Sequence, residues 1–303
     1  MRSWCSMARK GVIFPVGASG AWDDTSTSCG CPCVLYHGNH VYLYYSGTTE
    51  GTYFRTGLAI SKDGVNFVKK GAVVVFGAAG QIDTREIRDP SVIYKDNHFW
   101  MYYRAKTDSG GYNYGLALAI SKDGVNFVKK GIVLPLGASG ATDDAAMAVP
   151  SVVYNHGHVW LYYAASPNGS LHYCSLAVSK DGVNFVKKGV AVTIGSSSEM
   201  DATTVWGGRV LVYNNWFLNW YHGVYWSSGY YDRIFFAVSK DGMNFVKKGV
   251  SVPFGASGNW DDGAIYEGGA MIKDGYFWLY RSSNDQITSK IGLDCYPVQQ
   301  YFQ

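Results

Sequence analysis

The chain has 303 residues, is 47% hydrophobic and 16% aromatic, and carries only 16% charged residues with a formal charge of +3. This composition describes a well-packed β protein and excludes a disordered, collagen-like or disulfide-framework chain. No apolar run approaches the roughly 18 residues of a membrane-spanning helix, and the opening MRSWCSMARKG lacks the apolar core of a secretory leader, so neither a membrane span nor a cleaved signal is expected.

An eleven-residue phrase, SKDGVNFVKKG, recurs at Ser61–Gly71, Ser121–Gly131, Ser179–Gly189 and, with Met243 for Val, Ser239–Gly249. The copies start 60, 58 and 60 residues apart, and a fixed period of this kind marks stacked supersecondary units. Each unit opens on a GASG-like turn and an aspartate, at Asp23, Asp83, Asp143, Asp201 and Asp261. Two short Val/Tyr/Trp-rich runs follow, as in VIYKDNHFWMYYRA, and read as a strand pair joined by a Gly/Asn/Asp turn. A variable loop leads to a third strand, which ends in Ser-Lys-Asp-Gly. Asp-Gly between apolar runs predicts a hairpin because glycine accepts positive φ, so Phe-Val-Lys-Lys becomes the fourth, outer strand.

Five openings but only four copies of the phrase leave one outer strand missing. Residues 1–11 lie without gaps on Ser61–Gly71, matching Arg9, Lys10 and Gly11 to Lys69, Lys70 and Gly71. The predicted fold is therefore an all-β, five-bladed β-propeller with four-stranded blades, closed by the N-terminal strand. It is a single domain, 1–303, with blades at about 12–71, 72–131, 132–189, 190–249, and 250–303 plus 1–11. The paired lysines fall on outer strands, where charge discourages edge-to-edge pairing. The repeated phrase and its N-terminal counterpart together hold more than half of the basic residues, so the positive charge is mostly a rim effect and a nucleic-acid partner is not expected.

If the N-terminal strand closes the last blade, Cys5 aligns with Val65 and Cys295 with about Ile60. The two would then face each other across the seam as a disulfide or a pair of thiols. Cys29, Cys31 and Cys33 lie on one face of the first inner strand, but C-x-C-x-C is not the spacing of a structural zinc site. No metal or cofactor is expected.

Function is sought where the blades disagree. Pro32, Pro90, Pro150, Gly208 and Gly268 occupy one equivalent position at the start of each inner strand, and the residue before it reads Cys31, Asp89, Val149, Gly207 and Glu267. Asp89 and Glu267 are thus two carboxylates pointing toward a shared axial funnel, where propellers commonly bind ligands. Blade two concentrates charge as Arg85, Glu86, Arg88 and Asp89. This is either a local ion-pair network or a site where arginines hold a polar ligand and a carboxylate accepts its hydroxyls or a proton. The five repeated aspartates, present in every blade, read as turn caps. The loops between second and third strands are rich in Tyr, Ser, Gly and Asn, a composition suited to contact with sugar faces. Tyr112, Tyr114, His172, Tyr173, Trp226 and Tyr230 from these loops, with Trp206, Tyr266 and His222, complete the candidate ligand-binding set.

Arg88-Asp89-Pro90 opening an inner strand, aromatic second strands, and S-x-D-G-x-x-F hairpins in a five-bladed frame resemble the glycosidase propellers of glycoside hydrolase families 43, 32, 68 and 130. The resemblance covers the whole chain. It implies a glycan-active site with a first-blade Asp as base or nucleophile, the Asp of the Arg-Asp-Pro motif steadying the site, and a third-blade Glu as acid. Only the middle role transfers, onto Asp89; Cys31 and Val149 stand where the other two carboxylates would be. Since ordinary glycoside hydrolysis needs two carboxylates, the preferred expectation is a non-catalytic glycan-recognising propeller, a receptor-binding or structural module such as a phage particle carries. A second reading is a glycosidase with Asp89 and Glu267 as a rearranged catalytic pair, and a third is a structural platform for a protein partner. A carbohydrate ligand is expected, with no nucleic acid and no membrane.

Overall fold

The computed structural model of the chain describes residues 8–25, 32–49, 53–78, 81–107, 115–197, 199–225, 231–253, 255–256, 259–284 and 289–298. They form twenty strands in five antiparallel four-stranded sheets. β1 (Ala8–Phe14) belongs to the last blade. Blade one holds β2 (Cys33–His37), β3 (His40–Gly47), β4 (Arg55–Ser61) and β5 (Val68–Val74). Blade two holds β6 (Glu86–Lys95), β7 (His98–Lys106), β8 (Gly115–Ser121) and β9 (Val128–Pro135), and blade three β10 (Ala146–Asn155), β11 (His158–Ser166), β12 (Tyr173–Ser179) and β13 (Val186–Val192). Blade four holds β14 (Thr204–Tyr213), β15 (Trp216–Tyr225), β16 (Tyr231–Ser239) and β17 (Val246–Val252), and blade five β18 (Ala264–Lys273), β19 (Tyr276–Asn284) and β20 (Ser289–Pro297). The fourth strand of blade five is β1, paired with β20 in the register Ala8↔Cys295 and Arg9↔Asp294. The chain is a five-bladed propeller closed by its N-terminal strand, as the repeat count predicts.

The core lies between the blades. Five apolar clusters each draw on two neighbours: Tyr44 and Leu58 with Ile87 and Phe99, for example, or Leu218 and Trp220 with Ile265 and Phe277. Alternation along the strands explains this, because each blade sends one residue set to each neighbouring blade.

The repeated phrase fastens this packing. In each hairpin the aspartate, as at Asp63, accepts the backbone N–H groups of Val65 and Asn66 and the Ser61 hydroxyl. These bonds hold its carboxyl well below the usual range, the Asn66 N–H foremost. The following glycine carbonyl accepts a tyrosine hydroxyl from the preceding blade: Tyr44 to Gly124, Tyr102 to Gly182, Tyr162 to Gly242 and Tyr280 to Gly64, all within 2.7–2.9 Å.

The paired lysines divide into two roles. Lys70, Lys130, Lys188 and Lys248 are exposed. Lys69, Lys129, Lys187 and Lys247 instead place their amines 2.7 Å from the buried Asp23, Asp83, Asp143 and Asp201. Each of these carboxylates also accepts a tyrosine hydroxyl, from Tyr45, Tyr103, Tyr163 and Tyr221. In blades one to four one lysine of each pair is therefore part-buried and ties the outer strand to the opening turn.

Candidate active site

Each described inner strand from β6 onward bulges where the aligned residues vary. The register breaks between Arg88 and Ser91, Ala148 and Ser151, Val205 and Gly208, and Tyr266 and Gly269. Asp89 and Val149 sit at the bulges with φ of 56° and 49°, a left-handed conformation that is uncommon for residues other than glycine and stands out for a β-branched one. Such strain persists only where the surroundings over-determine it, and it gathers at functional sites.

The surroundings of Asp89 are of that kind. Its N–H donates to Ser46 Oγ at 3.0 Å, and Arg88 Nε lies 3.3 Å from Oδ1. Oδ2 faces Arg104 Nε at 3.3 Å and accepts the Val149 N–H at 3.4 Å. Glu86 completes the group, 2.8 Å from Arg104 Nη2, 3.5 Å from Lys106 Nζ and 4.0 Å from Arg88 Nη1. Arg88 also stacks on Phe54, its guanidinium 4.3 Å from the ring centroid. Burial pushes the Asp89 carboxyl up, but Arg104, Arg88 and the Val149 N–H outweigh it, and the group lies below its ordinary range. Asp89 is thus an ionised carboxylate, 1% exposed, lying behind partly exposed cations. The sequence places it facing an open funnel; the structure turns it into the joint between blades two and three.

A second group occupies the same rim across blades three to five. Trp206 stacks on His172 with ring centroids 3.7 Å apart and lies 6.4 Å from His222. His222 Nε2 is 2.8 Å from Asp232 Oδ1, and its ring meets Tyr266 edge-on at 5.4 Å. His172 is fixed from below, its N–H donating to Thr204 Oγ1 and its carbonyl accepting the Val205 N–H. The two groups touch through blade three, where Trp206 packs against Ala148, Val149 and Ala164. The result is a belt of side chains from Glu86 to Tyr266 around one end of the axis.

Not every predicted residue joins the belt. Arg85 is held through its backbone, which bonds Lys106 O and the Phe54 N–H, while its Nε is buried without a hydrogen-bond partner among the described residues. Tyr173 lies in β12 opposite Ala165, half-buried. Tyr112, Tyr114, Trp226, Tyr230, Cys5, Cys29, Cys31 and the Glu267 side chain lie outside the described residues. Cys295 is free, and burial pushes its thiol up to about 11.

Ser46, Arg104, Lys106 and Asp232 fall within the variable segments that follow the second strands, yet a reading that weighs those segments by their Tyr, Ser, Gly and Asn does not single them out. A signal existed for Arg104. Aligned on the second-strand aromatics, Ser46, Arg104, Ala164, His222 and Ser282 share one position, and its two largest polar members are the ones that line the rim.

The innermost level is a ring of Cys33, Ser91, Ser151, Arg209 and Gly269, one residue beyond the aligned Pro or Gly. Cys33 Sγ accepts the Val92 N–H, Ser91 Oγ that of Val152 and Ser151 Oγ that of Val210. Arg209 departs from this pattern and donates to the carbonyls of Pro150 at 2.6 Å and Pro90 at 3.1 Å. All five residues border an axial cavity of about 370 Å³.

Comparison with known proteins bears on what this rim does. The family model of glycoside hydrolase family 130, described as beta-1,4-mannooligosaccharide phosphorylase, matches residues 32–253. A 1,2-beta-oligomannan phosphorylase of Thermoanaerobacter sp. (strain X514) is 30% identical over 135 residues, which span 42% of this chain and 44% of that protein. Among solved structures, a glycosyl hydrolase from Bacteroides ovatus shares the fold at a TM-score of 0.76 with 16% identity, covering 99% of this chain and 96% of that one. Beta-1,2-mannobiose phosphorylase from Listeria innocua, in complex with beta-1,2-mannobiose, does so at 0.74 with 14% identity and 98% coverage of both. These findings overturn the expectation of a non-catalytic recognition module, and the receptor-module reading falls with it. That expectation rested on counting the carboxylates of hydrolysis, a rule that does not govern a family containing phosphorylases. The chain belongs to glycoside hydrolase family 130.

Proposed function

We propose that this chain cleaves β-mannosidic bonds by phosphorolysis, with Asp89 as its proton-transferring carboxylate. The observation that carries the reading is the charge balance at the blade-two rim. Three cations, Arg88, Arg104 and Lys106, surround two carboxylates, Glu86 and Asp89. A hydrolase needs one carboxylate to protonate the leaving oxygen and a second to attack or activate water. In phosphorolysis the attacking group is itself an anion, so the second carboxylate is replaced by cations that hold phosphate.

Asp89 is ionised in the unliganded site. A dihydrogen phosphate ion that takes up Arg88 and Arg104 weakens their hold on Asp89 and hands it a proton, becoming the dianion. A phosphate oxygen then bonds to the anomeric carbon, the bond to the leaving oxygen breaks with its electron pair remaining on that oxygen, and the Asp89 proton goes to it. The products are mannose 1-phosphate and a shortened saccharide. Trp206 with His172, and Tyr266 beside His222, offer ring faces suited to the apolar faces of the sugar, as stacking at binding sites generally does.

The test is incubation with β-1,2- and β-1,4-linked mannobiose, with and without inorganic phosphate, scoring mannose 1-phosphate and free mannose. Phosphate-dependent mannose 1-phosphate, reduced about 100-fold or more in Asp89→Asn, is the expected result. Free mannose without phosphate would assign hydrolysis instead and bring Glu267 forward as the second carboxylate. Turnover of neither disaccharide would overturn the reading.

A further inference from the structure

We propose that Arg209 is a positioning residue for Asp89, pinning from the propeller axis the two strained bulges on which the candidate site is built. The inference rests on the reading that Asp89 serves the reaction. The residues flanking the two bulges carry the argument. Asp89 and Val149, the two non-glycine residues held at positive φ on the inner strands among the described residues, each precede a proline, Pro90 and Pro150. Those prolines' carbonyls are the ones Arg209 binds, at 3.1 and 2.6 Å. A residue before proline is driven toward extended conformations, so each bulge is biased to relax unless its far side is held. Proline has no N–H, which leaves its carbonyl as the peptide group by which it can be anchored.

No other blade could supply this anchor. The equivalents of Arg209 are Cys33, Ser91 and Ser151, whose short side chains reach only the adjacent strand, and Gly269, which has none. Arg209 reaches two strands at once, is 4% exposed and borders the axial cavity. A guanidinium presents several donors in one rigid plane, so one side chain can serve two carbonyls that diverge from the axis. Blade four makes room by carrying glycine at the bulge itself, where a Cβ on Gly207 would come 2.6 Å from the Val149 carbonyl.

The consequence falls on Asp89. At its carboxylate stand Arg88 of its own strand, Arg104 of β7 and the Val149 N–H of β10; the Ser46 hydroxyl of β3 takes its backbone N–H, and Glu86 with Lys106 flanks the two arginines. If the Pro90 and Pro150 anchors go, the bulges relax, and Asp89 loses its alignment with Arg104 and with the Val149 N–H.

The test is a titration of the Asp89 carboxyl carbon by NMR in aspartate-labelled protein, the signal assigned by its absence in Asp89→Asn. In Arg209→Met the midpoint should rise by about one unit or more as the arginine contacts loosen. In Arg209→Lys, which keeps the charge and one reach, the rise should be smaller. Turnover of mannobiose with phosphate should fall in kcat with KM nearly unchanged. If Arg209→Met does not melt cooperatively, the Arg209→Lys titration decides. A folded variant whose Asp89 titrates as in wild type overturns the proposal. Because the titration does not depend on turnover, a wild type inactive on mannosides would sink the functional reading while leaving this result to stand or fall by itself.

Discussion

The hydroxyl of Tyr280 donates to the carbonyl of Gly64 at 2.8 Å, joining the last blade to the first across 216 residues of sequence. It is the same bond that Tyr44, Tyr102 and Tyr162 make to the next blade. Blade four has Trp220 at this position, and blade five, which it faces, is the one without a Ser-Lys-Asp-Gly hairpin. The donor changes where its acceptor is missing.

Tyr280→Phe should therefore cost about 1 kcal/mol, a typical net hydrogen bond. Gly64→Ala should cost more, since its φ of 82° is strained for alanine and the new Cβ would lie 2.8 Å from the Tyr280 hydroxyl. Thermal melts of the two variants test this; an alanine variant as stable as wild type would refute the close approach.

Arg281 and Asp294 stand where other blades carry Tyr and Ala. Arg281 binds Asp261 at 2.6 Å and Asp294 at 2.5 Å, and all three are buried. Arg281→Met removes the cation that two buried carboxylates share and should cost about 3–5 kcal/mol. The double change Arg281→Tyr with Asp294→Ala restores the pattern of the other blades and should recover most of that loss. Urea unfolding of the three proteins distinguishes coupling from simple additivity.

Asp89 ties stability to acid. Its carboxyl is depressed in the folded state, so its contribution is present above the unfolded value near 4 and is lost as pH falls through the lower folded value. Melting temperature measured from pH 7 to pH 2 should drop less steeply at the acid end in Asp89→Asn than in wild type. Parallel curves would show that Asp89 is not held ionised by its arginines.

Cys33, Cys174 and Cys295 are free and buried. Burial raises Cys33 despite Arg209, and brings Cys174 to about 12 and Cys295 to about 11. Because the thiolate is the reactive form, these three should resist iodoacetamide at pH 8 in the native protein and react on unfolding. Peptide mapping by mass spectrometry reads each site separately. Rapid native labelling of Cys174 would contradict its burial.

The candidate site was only partly legible. Asp89, Arg88 and Glu86 stood out because blade two departs from the repeat, and His172 because it falls in a variable loop; Trp206, His222 and Tyr266 completed the candidate set. Arg104 and Lys106 fell in a variable segment weighed for its Tyr, Ser, Gly and Asn, and the structure makes them the end of β7. That the carboxylate of Asp89 faces Val149 and not the open axis could not be read, because it depends on a left-handed φ that the following proline argues against.

Sequence periodicity alone determined the number of blades, the strand order within them and the closure by β1, since alternation and the Asp-Gly turns are local and each copy repeats them. The tertiary structure alone decided which charges meet. Lys69 and Asp23 are 46 residues apart, and Arg209 and Pro90 are 119 apart. A period reports what each strand is, whereas pairing across blades depends on the radius of the ring and the twist that brings the strands to its axis.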